Sequence, residues 1–140
     1  MPVITKRSEI IYYSPTKNRF SEELRKLIEE PLKNRATVRV CKDMRSFSQC
    51  FREAPVNIGG IILLAPTRNH LEEILICREL LFDKLFILVL PDSDVQSVSK
   101  GYSLRPHFLS YIDHQPEEIA SVAVKMFQEQ EQDYEPDEKE

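Results

Sequence analysis

Residues 58–64 read Ile-Gly-Gly-Ile-Ile-Leu-Leu, and residues 85–90 read Leu-Phe-Ile-Leu-Val-Leu. Neither run alternates apolar with polar residues, which is typical of strands buried on both faces of a parallel sheet. Each run stops at a proline, in Ala65-Pro66-Thr67 and at Pro91. The two runs therefore predict the central strands of a sheet that is covered by helices on both sides.

Three further strands are predicted outside this pair, at Glu9–Tyr13, Thr37–Val40 and Phe108–Ile112. In Thr37–Val40 polar and apolar residues alternate, which favours an edge strand with one face toward water. The mixed composition of Phe108–Ile112 favours the opposite edge.

Helix patterns occupy the intervals between the strands, each with a start or stop signal. The first helix is predicted to have its N-cap at Ser21 and to end or kink at Pro31, near Glu30. The second is predicted to have its cap at Asp43 and to stop at Pro55, and the third to have its cap at Asn69, with Phe82 extending the apolar side. The fourth is predicted over Asp94–Lys100 with Gly101 as the C′ residue, and the fifth has Pro116 at its first helical position.

Five strand–helix units in succession predict an α/β fold. We expect a single-domain, five-stranded parallel sheet in the order 2-1-3-4-5, with helices on both faces, of the flavodoxin-like or receiver-like kind. The domain is predicted to cover residues 1–127. Residues 128–140 hold seven acidic residues and a single lysine, so we expect an acidic, disordered tail there.

Composition narrows the class of protein. The chain has 140 residues, of which 41% are hydrophobic and 30% charged, a balance typical of a soluble domain with a real core. No apolar run is long enough to cross a bilayer, and residues 1–8 lack the apolar stretch of a signal peptide, so a cytoplasmic protein without membrane contact is expected. The tail carries a net charge of −6, so the other 127 residues carry +2 of the chain's total of −4. The nearly neutral remainder argues against direct nucleic-acid binding.

The three cysteines give no sign of a metal site. Cys41, Cys50 and Cys77 show no CxxC spacing and do not cluster with histidines in the sequence. Free buried thiols are the simplest interpretation, and we expect neither a metal nor a cofactor.

Polar residues that follow the strands are candidates for ligand contacts, because ligands of parallel sheets bind beyond the carboxyl ends of the strands. The possible anion or ligand contacts are Lys17, Arg68, His70 and His114. Lys17 and Arg68 could hold a phosphate at a helix N-terminus. No glycine-rich phosphate motif accompanies them, which favours the simpler interpretation that they are ordinary polar loop residues.

Two catalytic interpretations are weaker still. Asp92, Asp113 and His114 could form a metal site or an acid–base pair, but nothing in the sequence fixes their geometry. Ser14 lies between Tyr13 and Pro15 and so lacks the G-x-S-x-G elbow of a hydrolase.

A partner interface is the other candidate site. Tyr102, Arg105 and Tyr111 belong to residue types that are enriched at the centres of protein interfaces. A loop whose aromatic residues close the core is an equally good interpretation of the same stretch.

The order of the elements resembles that of the receiver domains of bacterial two-component response regulators, over about residues 8–128. The resemblance implies an acidic pair after the first strand, a phospho-acceptor Asp after the third, a Thr or Ser after the fourth and a Lys-Pro pair after the fifth. The matching positions here hold Tyr13-Ser14 or Ser14-Pro15, then Ala65, then Leu90 or Pro91. After the fifth strand, Tyr111 stands where a receiver has its switch aromatic, and His114 stands at the lysine position.

This resemblance implies a pseudo-receiver that has kept the fold and lost phosphotransfer. Without carboxylates there is no oxygen cage for Mg²⁺, and alanine offers no nucleophile. We therefore expect a non-catalytic protein that acts in signalling or regulation by protein–protein contact, with a homodimer through the fourth and fifth units as one form of that contact. The alternative is a small α/β enzyme or a nucleotide- or anion-binding protein with its site at the C-terminal edge of the sheet.

Overall fold

Strands and helices alternate through the whole of the computed structural model, which describes residues 8–53 and 58–134. The strands are β1 Ser8–Tyr13, β2 Ala36–Cys41, β3 Ile58–Leu64, β4 Phe86–Leu90 and β5 Phe108–Tyr111. The helices are α1 Arg19–Leu32, α2 Met44–Glu53, α3 Arg68–Ile76, α4 Val95–Ser103 and α5 Pro116–Tyr134, with a 3₁₀ turn Arg78–Leu81 after α3.

The five strands form one parallel sheet in the order β2-β1-β3-β4-β5, which confirms the predicted topology. All five residues of β4 and the last five of β3 are buried, as the unbroken apolar runs predict. In β2, Thr37 and Val40 are exposed, in keeping with its position at the edge.

Two apolar cores lie on the two faces of the sheet, because successive strand residues point to opposite sides. Ile11 and Tyr13 belong to one core, to which α2, α3 and α4 contribute. Ile10 and Tyr12 belong to the other, with α1 and α5. Full burial of one large apolar side chain stabilises a fold by roughly 1.5–3 kcal/mol, so both faces contribute strongly to stability.

Gly60 allows α5 to approach β3 closely. A Cβ atom at this position would lie 2.3 Å from Cε1 of Phe127, which is far inside van der Waals contact. The ring of Phe127 therefore occupies the space in which any other residue would place its side chain.

The first helix begins and ends elsewhere than predicted. Its N-cap is Asn18 rather than Ser21, because Ser21 NH donates to Asn18 Oδ1 at 2.9 Å and Asn18 NH donates to Ser21 Oγ at 3.1 Å. This reciprocal pair is a capping box. The helix also includes Pro31 and ends at Leu32; the missing NH of Pro31 removes one hydrogen bond from the last turn.

The third helix differs from the prediction at both ends. Its N-cap is Thr67, whose Oγ1 accepts from His70 NH, and not Asn69. The helix ends at Ile76, and the chain continues through the 3₁₀ turn. Phe82 lies beyond that turn and is 78% exposed, so it does not extend the apolar side of the helix.

The fourth helix starts as predicted and ends later. Asp94 is its N-cap, with Gln96 NH donating to the carboxylate at 3.3 Å. Gly101 is not the C′ residue; it lies inside the helix, where a Cβ would be 3.0 Å from Leu90 Cδ2. The left-handed backbone position that usually favours glycine is taken by Arg105, with φ 59°.

Two of the remaining predicted helix boundaries are confirmed. Asp43 caps α2, since Ser46 NH donates to Asp43 Oδ1 at 2.8 Å, and α5 begins at Pro116 as predicted. The predicted stop at Pro55 lies outside the described residues. The helix α5 continues to Tyr134. The domain boundary at residue 127 stays a prediction, and residues 135–140 of the predicted tail lie outside the described ranges. Within those ranges no helix is both long and apolar enough to cross a membrane.

Candidate functional site

The end of β1 holds a buried aromatic residue and a nearly buried serine. Tyr13 is fully buried, with its ring edge-on to that of Phe47 at a centroid distance of 5.9 Å. Burial, reinforced by the negative charge of Glu73, raises the pKa of Tyr13 far above its usual value. The next residue, Ser14, is tied to the backbone: its NH donates to Cys41 O at 2.9 Å and its hydroxyl to Thr16 O at 3.1 Å.

The end of the central strand β3 holds a buried methyl group. Ala65 is 0% exposed, and its NH donates to Val89 O at 2.9 Å, which continues the pairing with β4. Neither Ser14-Pro15-Thr16 after β1 nor Ala65-Pro66-Thr67 after β3 contains a carboxylate. The middle of the C-terminal edge therefore presents hydroxyl and apolar groups.

The carboxylates nearest to the end of β4 are held by an arginine. Arg68 Nε lies 3.0 Å from Asp92 Oδ2, and Arg68 Nη2 lies 3.5 Å from Asp94 Oδ2. The hydrogen bond from Arg68 lowers the pKa of Asp92. Because all three side chains are substantially exposed, this cluster contributes little to stability. Its effect is to occupy Arg68 with two anions already present in the chain.

The two predicted histidine contacts each have a local neighbour. Thr67 Oγ1 lies 2.8 Å from His70 Nδ1, in the first turn of α3. Ser110 Oγ lies 2.9 Å from His114 Nδ1, and the His114 ring packs edge-on to Tyr111 at a centroid distance of 5.1 Å. The histidine at the position of a receiver's lysine is thus held by β5 itself.

The four predicted ligand contacts lie in three separate places at the C-terminal edge of the sheet. Arg68 and His70 share the first turn of α3, Lys17 lies exposed just before α1, and His114 follows β5. Among residues 8–53 and 58–134, no hydrogen bond or ion pair joins Lys17 or His114 to the other two, and no group of three His, Cys, Asp or Glu side chains is placed to hold a metal ion.

The predicted partner residues are divided between two regions. Tyr102, on α4, is 63% exposed, and Arg105 is exposed just beyond that helix. Tyr111 is half-buried at the last position of β5, where its ring packs against His114. Arg105 NH donates to Tyr102 O at 3.0 Å, so these two residues are neighbours at the end of α4, whereas Tyr111 belongs to β5.

One exposed apolar residue on the same face of α4 as Tyr102 was not predicted from the sequence. Val95 is 80% exposed at the first position of α4, two helical turns before Tyr102, so the two side chains lie on the same face. The seven-residue spacing of two apolar residues in a short helix was the available signal. We call Val95 and Tyr102 the α4 apolar pair.

A cysteine pair was also missed. Cys41 and Cys50 are buried thiols, as predicted, and Cys77 is half-buried. The fold brings the sulfur atoms of Cys41 and Cys50 to 2.9 Å from each other. Nothing in their spacing of nine residues indicates this, since it depends on how α2 folds back over β2.

Comparisons with known proteins agree with the topology. No protein-family model matches the chain, and no curated protein matches it. Among solved structures, it is similar to the signal receiver domain of an HD domain-containing protein from Pseudomonas fluorescens Pf-5, with 16% identity, a TM-score of 0.65 and coverage of 95% of this chain and 96% of that one.

Two further structures give the same result. The BeF3-activated DrrB receiver domain matches with 21% identity and a TM-score of 0.62, over 89% of this chain and 99% of that one. A response regulator from Thermotoga maritima matches with 12% identity and a TM-score of 0.60, over 88% and 99% of the two chains. At these identities the similarity establishes a shared fold.

Proposed function

We propose that this chain is a pseudo-receiver, a non-catalytic receiver-fold module that acts in signalling or regulation by binding another protein. The observation that carries the proposal is the buried methyl group of Ala65 at the end of the central strand. A receiver's phospho-acceptor carboxylate belongs at that point of the fold, so the fold is present while the group that would be phosphorylated is replaced.

The neighbouring side chains support the same conclusion. Mg²⁺ prefers carboxylate and water oxygens in octahedral geometry. The end of β1 offers Tyr13 and Ser14 in place of acids, and the carboxylate of Asp92 is already paired with Arg68. Phosphotransfer would need both a metal cage and a nucleophile at this edge.

The α4 apolar pair supports a binding role. Val95 and Tyr102 leave large apolar side chains in water on one helix face, and exposed apolar groups on one face are typical of interaction sites. Lys100 on α4 forms an ion pair with Glu72 of α3. This ion pair links the two helices.

Phosphorylation can be tested directly. The full chain is incubated with acetyl phosphate and Mg²⁺, and its intact mass is measured at neutral pH beside a receiver domain that retains its acidic pocket. We expect the phosphorylated species in the receiver only. A phosphoryl group that is stable at neutral pH and labile to hydroxylamine, mapped to Asp92 or Asp94, would contradict the proposal.

The binding surface can be tested with matched substitutions. If the chain associates with itself, the double substitution Val95→Asp and Tyr102→Asp should abolish concentration-dependent association in sedimentation velocity. If the chain alone is a monomer, the same double substitution should abolish its binding to a captured partner protein. Val40→Asp is the control, because Val40 is an exposed valine on the opposite edge of the sheet. Equal binding by all variants would exclude α4 as the binding surface.

The alternative, a nucleotide- or anion-binding protein or small enzyme, draws on Arg68 and His70 in one helix turn. A ligand that binds the folded state raises the melting temperature by mass action. Nucleotides and inorganic phosphate should leave the melting temperature unchanged if our proposal is correct. A specific rise that is lost in Arg68→Ala would favour the alternative.

A further inference from the structure

We propose that Cys41 and Cys50 form a reversible intrachain disulfide that joins α2 to the end of β2. Their sulfur atoms lie 2.9 Å apart, well inside the separation of two non-bonded sulfur atoms. Cys41 is the last residue of the edge strand, and Cys50 lies in the second half of α2. The proposal is independent of the function proposed above.

The turn between the two elements sets this approach. Asp43 caps α2 through Ser46 NH at 2.8 Å, and Ser46 O is also 3.7 Å from Cys41 Sγ. The helix then runs back along the sheet, with Phe47 and Cys50 on its buried side. The capped turn and the packing of Phe47 therefore position both thiols without any bond between them.

Burial controls when the pair can react. Cys41 is 1% exposed and Cys50 is 4% exposed, and burial raises the pKa of Cys41, with a further contribution from its contact with Cys50. The thiolate is the reactive form of cysteine. Reaction therefore requires α2 to loosen locally, and such openings need less free energy than global unfolding in a short peripheral helix.

The oxidant we infer is a small disulfide of the glutathione type. When α2 opens, the Cys50 thiol loses its proton, and the thiolate attacks one sulfur of the oxidant and releases one small thiolate. Deprotonated Cys41 then attacks the sulfur of Cys50 in the mixed disulfide and releases the second small thiolate. The two protons from the cysteines end on the two small thiols, so the protein loses two hydrogens while the oxidant is reduced.

Cys77 supplies an internal control. It is half-buried at the end of α3, and within the described residues no other thiol lies beside it. Its reaction with the same oxidant should stop at a mixed disulfide, because no second thiolate is in place to displace the small thiol. The position of each thiol in the fold thus determines whether it forms an intrachain disulfide or stops at a mixed disulfide.

The test treats the full chain with glutathione disulfide, followed by alkylation, intact-mass measurement and non-reducing peptide mapping. We expect a species that has lost two hydrogens, with a cross-linked peptide pair containing Cys41 and Cys50, and full reversal by dithiothreitol. Closing a loop of this length should raise the melting temperature by about 5–10 °C. A map that shows only glutathione on Cys77, or a cross-link that includes Cys77, would overturn the proposal.

Two cysteine-to-serine variants test which thiols form the cross-link. Cys77→Ser should form the cross-link as the unmodified chain does, and Cys50→Ser should yield no intrachain cross-link. Where Cys50→Ser does not fold, the peptide map of the Cys77→Ser protein decides alone. Cross-linking only at denaturant concentrations that unfold the whole chain would also count against the proposal, because the pair would then form outside the native structure.

Discussion

Gly60 shows how one residue sets the distance between a helix and the sheet. The Phe127 ring of α5 lies where a side chain at position 60 would be, on the face covered by α1 and α5. The glycine pair in the third strand was visible in the sequence, and burial on both faces was predicted correctly. Which of the two glycines contacts a helix could not be predicted, because it depends on the placement of α5.

Replacement of Gly60 by alanine should destabilise the protein by about 1–3 kcal/mol, because the new methyl group forces the Phe127 ring or α5 to move. Equilibrium urea unfolding followed by circular dichroism measures this change. Gly59→Ala is the matched control, since its Cβ would meet mainly the side chain of Ser8 at 3.0 Å, at the start of β1. Equal losses from the two substitutions would argue against the close packing of Phe127.

Some residues of the candidate site could be placed from the sequence, and the contacts of others could not. Ala65 and Ser14 follow predicted strands directly, so their positions at the C-terminal edge came from local pattern alone. The pair of Arg68 with Asp92 joins residues 24 positions apart. Such contacts require the fold itself, and local patterns contain no information about them.

At the scale of elements, the existence and order of all five helices were predicted, while several ends were wrong. Asn18 and Thr67 are the real N-caps, each lying shortly before the residue that was predicted. Several adjacent residues could serve as caps in each loop, and side-chain geometry decides among them. At Gly101, packing against Leu90 overrides the usual preference of glycine for helix ends.

The caps of α3 can be distinguished by mutation. Thr67→Ala should lower the free energy of unfolding by about 1 kcal/mol, because the NH of His70 loses its acceptor. Asn69→Ala, at the position predicted from sequence, should change it by less than about 0.5 kcal/mol, as is usual for surface positions. Urea unfolding of both variants provides the comparison, and a larger loss from Asn69→Ala would reverse the assignment.

At the scale of the whole molecule, two buried tyrosines link stability to pH. Tyr12 is 1% exposed and donates its hydroxyl to Ser21 O at 2.7 Å, and Tyr13 is 0% exposed. Burial is the main cause that raises the pKa of both phenols above the ordinary value of 10.0. Above that pH the unfolded chain releases these protons while the folded chain retains them, so stability present below pH 10 is lost as pH rises.

We expect the free energy of unfolding to fall above about pH 10, with each buried tyrosine contributing up to about 1.4 kcal/mol per pH unit. Urea unfolding between about pH 8 and about pH 11 measures the slope. Tyr12→Phe should make the slope shallower, whereas Tyr102→Phe, at an exposed position, should leave it unchanged. A Tyr12→Phe slope equal to that of the unmodified chain would show that Tyr12 ionises normally in the folded state.

The two lateral strands of the sheet have a consequence for behaviour at high concentration. An unpaired strand rim is a template on which another chain can add a strand and start aggregation. One edge strand is β5, which has only four residues and so offers an incoming strand few backbone hydrogen bonds. The other is β2, where Arg39 forms an ion pair with Glu9 and places a charge that an incoming strand would have to desolvate. Both edge strands therefore disfavour the addition of strands from other chains, and concentrated samples should stay free of fibrils.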